Sequence, residues 1–282
     1  MKGILTLITI FSFLNHHAQV VPNAEYEMAQ SIPNELFDKF KNYHTFLIGE
    51  IHGTQEGPMC ALGLINVLSN NKEKVLVALQ IPNSEQAQIE KYLKTGDFAI
   101  IERMPFFNVE KPDGRNSKAM GDLIRGIYGK KNVRVVCFDI DPTNKAELND
   151  RENLMAKNIA KASSQFKDAK IVCLTSQMHS FLYKYQTNDA EYIETMGYLL
   201  KKNEKFDRSK MLSLQVLFKG GSAYNNVGGK IGVNPLTDEI GNKAVFTGRP
   251  ISIFIAEKDS ETSIYNGCFF IQKGNPSTPL NQ

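Results

Sequence analysis

"FLIGEIHGTQEG", Phe46 to Gly57, is the stretch on which the reading turns. Apolar residues lead into Gly-Glu-x-His-Gly-Thr, and the polarity changes within two positions. A bare turn after a buried strand needs neither Glu50 nor His52, whereas a site at a strand end could use both. The flanking Gly49 and Gly53 allow a tight backbone turn beneath such a site.

Working outward, "HTFLIGE" (44–50), "KVLVALQIP" (74–82), "VRVVCFDI" (133–140) and "KIVCLTS" (170–176) are continuous apolar runs rich in β-branched residues. Such runs suit strands covered on both faces of a parallel sheet. Helical stretches lie between them. Ala119, Met120, Leu123, Ile124, Ile127 and Tyr128 form one stripe over 118–128, and "LNDRENLMAKNIAKA" is similar, with Asn149 or Asp150 as its expected cap. The alternation predicts an α/β domain with a mainly parallel sheet flanked by helices. Three later runs, 210–218, 250–257 and 266–272, are expected to extend the sheet as antiparallel edge strands. "KGGSAYNNVGGK" (219–230) lacks both glycine-rich nucleotide-binding patterns and reads as a flexible loop. "KGNPSTPLNQ" (273–282) reads as a polar tail.

The chain has 282 residues, 42% of them hydrophobic, and a formal charge of +3 with scattered Lys and Arg. A nucleic-acid groove would need basic residues clustered on one face, so no nucleic-acid partner is expected. At the N-terminus one Lys precedes an apolar run from Gly3 to Leu14. The run is shorter than the roughly 20 residues that span a bilayer. It fits a secretory signal peptide over 1–18, cleaved after Ala18, with 19–282 as one exported domain that is periplasmic or secreted and carries no transmembrane anchor. The other reading of the run is a buried N-terminal helix. Cys60, Cys137, Cys173 and Cys268 form no CxxC pair. Cys137 and Cys173 read as small buried hydrophobes, although an exported protein could pair some of the four.

In a parallel α/β sheet, ligands bind beyond the carboxyl ends of the strands. The four strands end in Glu50 and His52, in Gln80 and Pro82, in Asp139 and Asp141, and in Ser176, Gln177 and His179. These residues are expected to converge on one rim, where His can act as a general base on water and His with carboxylates can hold a metal. Each is also open to a structural reading, as a strand-end histidine or a turn acid before Pro142. Arg115, in a Pro-Asp-Gly-Arg loop before a helix, could clamp a carboxylate, stabilise an oxyanion or simply sit on the surface. Arg151 starts a helix, where the dipole disfavours a cation, and this points to an anionic partner such as Glu50 or Asp139.

At this point "GEIHGTQEGP" resembles the first motif of the superfamily that joins erythromycin esterases, ChaN haem-uptake proteins and TraB/Tiki metalloproteases. Further pieces follow in that order. "DGRNSKAMGDLI" (113–124) resembles an arginine-bearing helix start, and "NDRENLMAKNI" (149–159) resembles an RDxxMAxNI helix. "TSQMHS" (175–180) resembles the second Gly-x-x-His motif. "ETMGYLL" with "LSLQVLFKGGSAYN" resembles a helix, a strand and a GGxAW element. The set spans roughly Thr45 to Asn226. The resemblance implies a hydrolase of ester, lactone or peptide bonds, acting on a small-molecule or peptide substrate. Glu50, His52, Arg115 and His179 would be its catalytic residues, and Gln80, Asp139, Arg151 and Gln177 its substrate-binding residues. It equally allows a module that binds haem or another ligand, or a non-catalytic member. A metal or haem is allowed but not required. Two departures bear on this. Gln80 stands where relatives carry Glu, which weakens a metal site, and Ser176 stands where they carry Gly. The chain has no Trp, and Phe106 or Phe107 and Tyr224 stand in the tryptophan positions.

Overall fold

The structure is a computed structural model that describes residues 18–20, 37–141, 143–144, 146–187, 191–241, 251–256 and 264–282. Most of the expected signal peptide, and the helix it would otherwise form, lie outside these residues. The strands are β1 (Ala18–Val20), β2 (Thr45–Glu50), β3 (Val75–Pro82), β4 (Val133–Asp139), β5 (Lys170–Ser176), β6 (Tyr185–Gln186), β7 (Tyr192–Ile193), β8 (Met211–Phe218), β9 (Ser222–Val227), β10 (Lys230–Pro235), β11 (Ile251–Ile255) and β12 (Gly267–Ile271). The helices are α1 (Phe37–Phe40), α2 (Glu56–Asn70), α3 (Gln86–Thr95), α4 (Ala99–Glu102), α5 (Lys118–Ile127), α6 (Leu148–Gln165) and α7 (Met196–Lys202).

The main sheet has the order β1-β11-β12-β8-β2-β5-β3-β4. The six strands from β12 to β4 all run parallel. The antiparallel expectation holds for β11, which pairs antiparallel with β12 and with β1. β8 and β12 instead run parallel within the sheet. β2 therefore sits centrally, between β5 and β8, and its end lies mid-rim.

Every residue of β2, β3, β8 and β12 is buried. Helices cover both faces of the sheet. Phe46 and Ile48 pack in one cluster with Leu64 of α2 and Leu123 of α5, whereas Leu47 packs with Met155 of α6 and Met196 of α7. Burying each such side chain is worth about 1.5–3 kcal/mol, so truncating Ile48 to Ala should cost about 2–5 kcal/mol. The alternation also fixes sides: Glu50 follows Ile48 on the α2 face.

Three local expectations change. α6 starts at Leu148 after Glu147, and no side chain caps it. Asn149 instead accepts a hydrogen bond from Glu194 N at 3.0 Å. The glycine-rich 219–230 stretch is not a loose loop but holds most of the β9–β10 hairpin. Gly228 and Gly229 have φ of 57° and 87°, as a two-residue hairpin turn with both central residues left-handed requires. The polar tail is a strap. Ser277 N donates to Gly53 O, Lys118 N to Thr278 O and Leu280 N to Asn116 O, and the Asn275 side chain reaches Glu56. All four cysteines are buried and free. No helix among the described residues is long and apolar enough to cross a membrane.

Candidate active site

Glu50 is the last residue of β2, and its side chain is 3% exposed. Two residues on, the His52 ring is 19% exposed, and its Nδ1 lies 3.1 Å from Glu50 Oε1. The other oxygen, Oε2, is buried without a hydrogen-bond partner. It rests against Gly57 at the start of α2, where any Cβ would overlap it. Burial raises the Glu50 pKa, while the hydrogen bond and charge of His52 pull it back. A carboxylate at Nδ1 fixes the ring and leaves Nε2 for other contacts. Gly53, with φ of 82°, turns the chain so tightly that a Cβ would overlap Tyr224 O. Tyr224 N bonds Gly53 O, and the Asn225 side chain donates to His52 O at 3.3 Å.

A second group adjoins this pair, because Gly114 packs on the backbone of His52 and Gly53. Arg115 Nε donates to Asp113 Oδ2 at 2.9 Å, and Nη1 donates to Asp139 Oδ2 at 2.6 Å. Arg151 holds the same Asp139 with two bonds, of 3.0 and 2.8 Å. The anionic partner expected for Arg151 is thus Asp139. Burial alone would raise the Asp139 carboxyl. The bonds and charge of Arg151, then the charge of Arg115, outweigh it and hold Asp139 below the usual carboxylate range. Asp113 is likewise lowered against its burial, chiefly by the Arg115 charge.

The other expected residues are engaged elsewhere at the same sheet end. Gln80 Oε1 accepts from Thr175 Oγ1 and Ser176 N, both at 2.9 Å, and so bridges β3 to β5. Gln177 donates to Val216 O and to Glu239, whose pKa burial raises against the bonds it accepts from Gln177 and Phe218 N. His179 lies in a single helical turn after β5, its side chain only 5% exposed, with Nδ1 2.5 Å from Glu152 Oε1. Glu152 Oε2 accepts from Met196 N at 2.6 Å. Arg115 is held by Asp113 and Asp139, and His179 stands against Glu152.

Sequence reasoning missed Asp113 and Glu152. Both left a signal. Asp113 stands two residues before Arg115 in the turn and accepts its backbone N–H at 3.1 Å. Glu152 falls in the inward stripe of α6 with Met155, Ala156 and Ile159, and an acid in an apolar stripe needs a buried partner.

Among the described residues, no group of three His, Cys, Asp or Glu side chains could hold a metal ion.

No known family pattern matches the chain, and no curated protein matches its sequence. Solved structures do. A succinoglycan biosynthesis protein is similar with a TM-score of 0.70 at 13% identity, over 98% of this chain and 99% of that one. A mutant of the erythromycin esterase EreC, in its open conformation, is similar with a TM-score of 0.65 at 9% identity, over 90% and 97%. A Bacillus cereus protein is similar with a TM-score of 0.61 at 13% identity, over 98% and 99%. At these identities the likeness is one of fold: the chain is built on the same α/β architecture as erythromycin esterase.

Proposed function

We propose that the chain is an exported hydrolase of an ester, lactone or peptide bond, with Glu50 and His52 as its proton-handling pair. The observation that carries this is the 3.1 Å approach of Glu50 Oε1 to His52 Nδ1, at the carboxyl end of a central strand. Glu50 favours the tautomer with the proton on Nδ1. Nε2 is then basic and can take a proton from water as that water attacks a carbonyl carbon. Glu50 also stabilises the imidazolium that forms, as the acid of a triad does. The imidazolium returns its proton to the leaving group as the tetrahedral intermediate collapses.

Arg115 sits beside this pair with its side chain 18% exposed. Asp113 and Asp139 hold its guanidinium in place, and its positive charge faces the developing oxyanion. Gln80, Asp139 and Arg151 position the rim, and buried His179 acts through Glu152 on α6 and α7. The fold shared with an erythromycin esterase supports the reaction class.

Turnover of activated esters by the protein, lost in His52→Ala with the fold retained, tests the reading. Mass spectrometry of the protein from its native host tests export. A mature form beginning near Gln19 is expected, and an intact Met1 on a cytoplasmic product ends that part of the proposal.

A further inference from the structure

The strap over residues 275–280 meets both halves of the site. On one side is the turn that carries His52. Gly53 O, one residue beyond His52, accepts from Ser277 N at 2.8 Å, and Gln55 N donates to Asn275 O at 2.9 Å. The Asn275 side chain donates to Glu56 at 2.9 Å. On the other side is the segment that follows Arg115. Leu280 N donates to Asn116 O at 3.0 Å, and Lys118 N donates to Thr278 O at 2.8 Å. Ala119 N, in the first turn of α5, donates to Ser277 Oγ at 2.9 Å. Ser277 is thus the joint: its N–H holds the histidine turn and its hydroxyl holds the start of α5. It is 3% exposed, so water is poorly placed to replace either bond.

The rest of the site leaves this link to be made. Glu50 fixes the His52 ring, while Asp113 and Asp139 fix the Arg115 guanidinium. Each of these contacts lies within one half. Between the halves, Gly114 packs on the backbone of His52 and Gly53, and both glycines are left-handed, with φ of 98° and 82°. Such turns lie beyond the strand ladders and need bonds from elsewhere to hold their place. A base and an oxyanion donor act together only when both address one carbonyl group. A misplacement of about 1 Å can cost on the order of 10²-fold in rate.

We propose that Ser277 is a positioning residue that ties the His52 turn to the Arg115 loop, so that base and guanidinium meet the same carbonyl. The inference deepens the hydrolase reading and rests on it. Ser277→Ala removes the hydroxyl and frees the start of α5, while the residue 277 N–H still holds Gly53. Its effect therefore reaches the rate through Arg115 and leaves the Glu50–His52 pair as it was.

The test is a double-mutant cycle of Ser277→Ala and Arg115→Ala in the full chain, each variant shown to be folded by a thermal melt. Turnover of an activated ester gives kcat and KM, and NMR follows solvent exchange of the Arg115 Nε–H wherever Arg115 is present. Ser277→Ala should lower kcat by about tenfold, keep KM within about twofold and leave the acid limb of the pH profile unmoved. In the Arg115→Ala background the same change should cost nothing further, because residues that act through one contact chain are not additive. Exchange of the Arg115 Nε–H should quicken by about tenfold in Ser277→Ala, as local opening becomes easier. Should Ser277→Ala fail to fold, Ser277→Cys, close in shape and a weak acceptor, carries the same readings. Unchanged kcat and exchange in a protein with His52-dependent turnover overturn the positioning role alone. An equal loss of kcat with and without Arg115 overturns it as well. Quickened exchange in a protein with no His52-dependent turnover overturns the hydrolase reading alone, and unchanged exchange there overturns both.

Discussion

Gly57 stands directly behind Glu50: the space a Cβ would need is filled by Glu50 Oε2, while Oε1 faces His52 Nδ1 at 3.1 Å. A helix-start glycine thus fixes the carboxylate that fixes the histidine. In an ordinary helix Gly→Ala adds up to about 1 kcal/mol of stability. Here Gly57→Ala should displace Glu50 and lower kcat by about tenfold or more, with little change in KM. Steady-state kinetics beside a thermal melt checks this, and unchanged kcat would show that Glu50 does not orient His52.

Asp139 binds two arginines, so Asp139→Asn leaves Arg115 and Arg151 facing each other without their shared anion. Breaking a buried pair costs about 3–5 kcal/mol, and partial exposure of both arginines favours the low end. The Asp139 pKa is depressed below its ordinary 3.8. Its stabilisation is therefore present above 3.8 and is lost as pH falls through the lower folded-state value. Urea unfolding over an acid pH series should show a shallower acid limb for Asp139→Asn than for wild type. Parallel curves would mean the arginines do not stabilise the ionised form.

Glu152 satisfies Met196 N and contacts His179, all of them buried. Glu152→Ala should lower stability by about 2–3 kcal/mol, the cost of leaving buried polar groups unpaired. Glu152→Gln, which keeps the acceptor for Met196 N, should lose less. Equal losses in urea unfolding would assign the effect to charge rather than to the hydrogen bond.

Gln80→Glu keeps an acceptor for Thr175 and Ser176 and adds a negative charge at the strand ends. That charge favours the His52 imidazolium and should move the acid limb of activity to higher pH. Zinc titration should show no new site, because the side chain at position 80 is engaged by Thr175 Oγ1 and Ser176 N and has no bond to Glu50 or His52. A stoichiometric zinc site in the variant would show that one carboxylate completes a metal centre.

The strands were legible almost residue for residue: 44–50, 74–82, 133–140 and 170–176 are β2 to β5, because long apolar runs need cover on both faces. The same property hid the site's division. A strand apolar on both faces does not say which way its terminal polar residue points. Glu50 could therefore be placed at the rim but not beneath α2, and His179 could not be assigned to Glu152. The hairpin at 222–235 and the strap at 275–282 were illegible for another reason. Their order comes from backbone bonds to Gly53, Asn116 and Lys118, far away in sequence and independent of side-chain pattern.

The central claim is that the Glu50–His52 pair handles the proton of a hydrolytic reaction. The most direct measurement is kcat/KM for an activated ester across pH, for wild type, Glu50→Gln and His52→Ala, each shown to be folded. A positioned acid–base contributes about 10²- to 10⁴-fold. The account predicts a loss of that size in His52→Ala, and a smaller loss in Glu50→Gln, whose amide can still accept from Nδ1–H but cannot stabilise the imidazolium. Equal turnover by His52→Ala and wild type would contradict it.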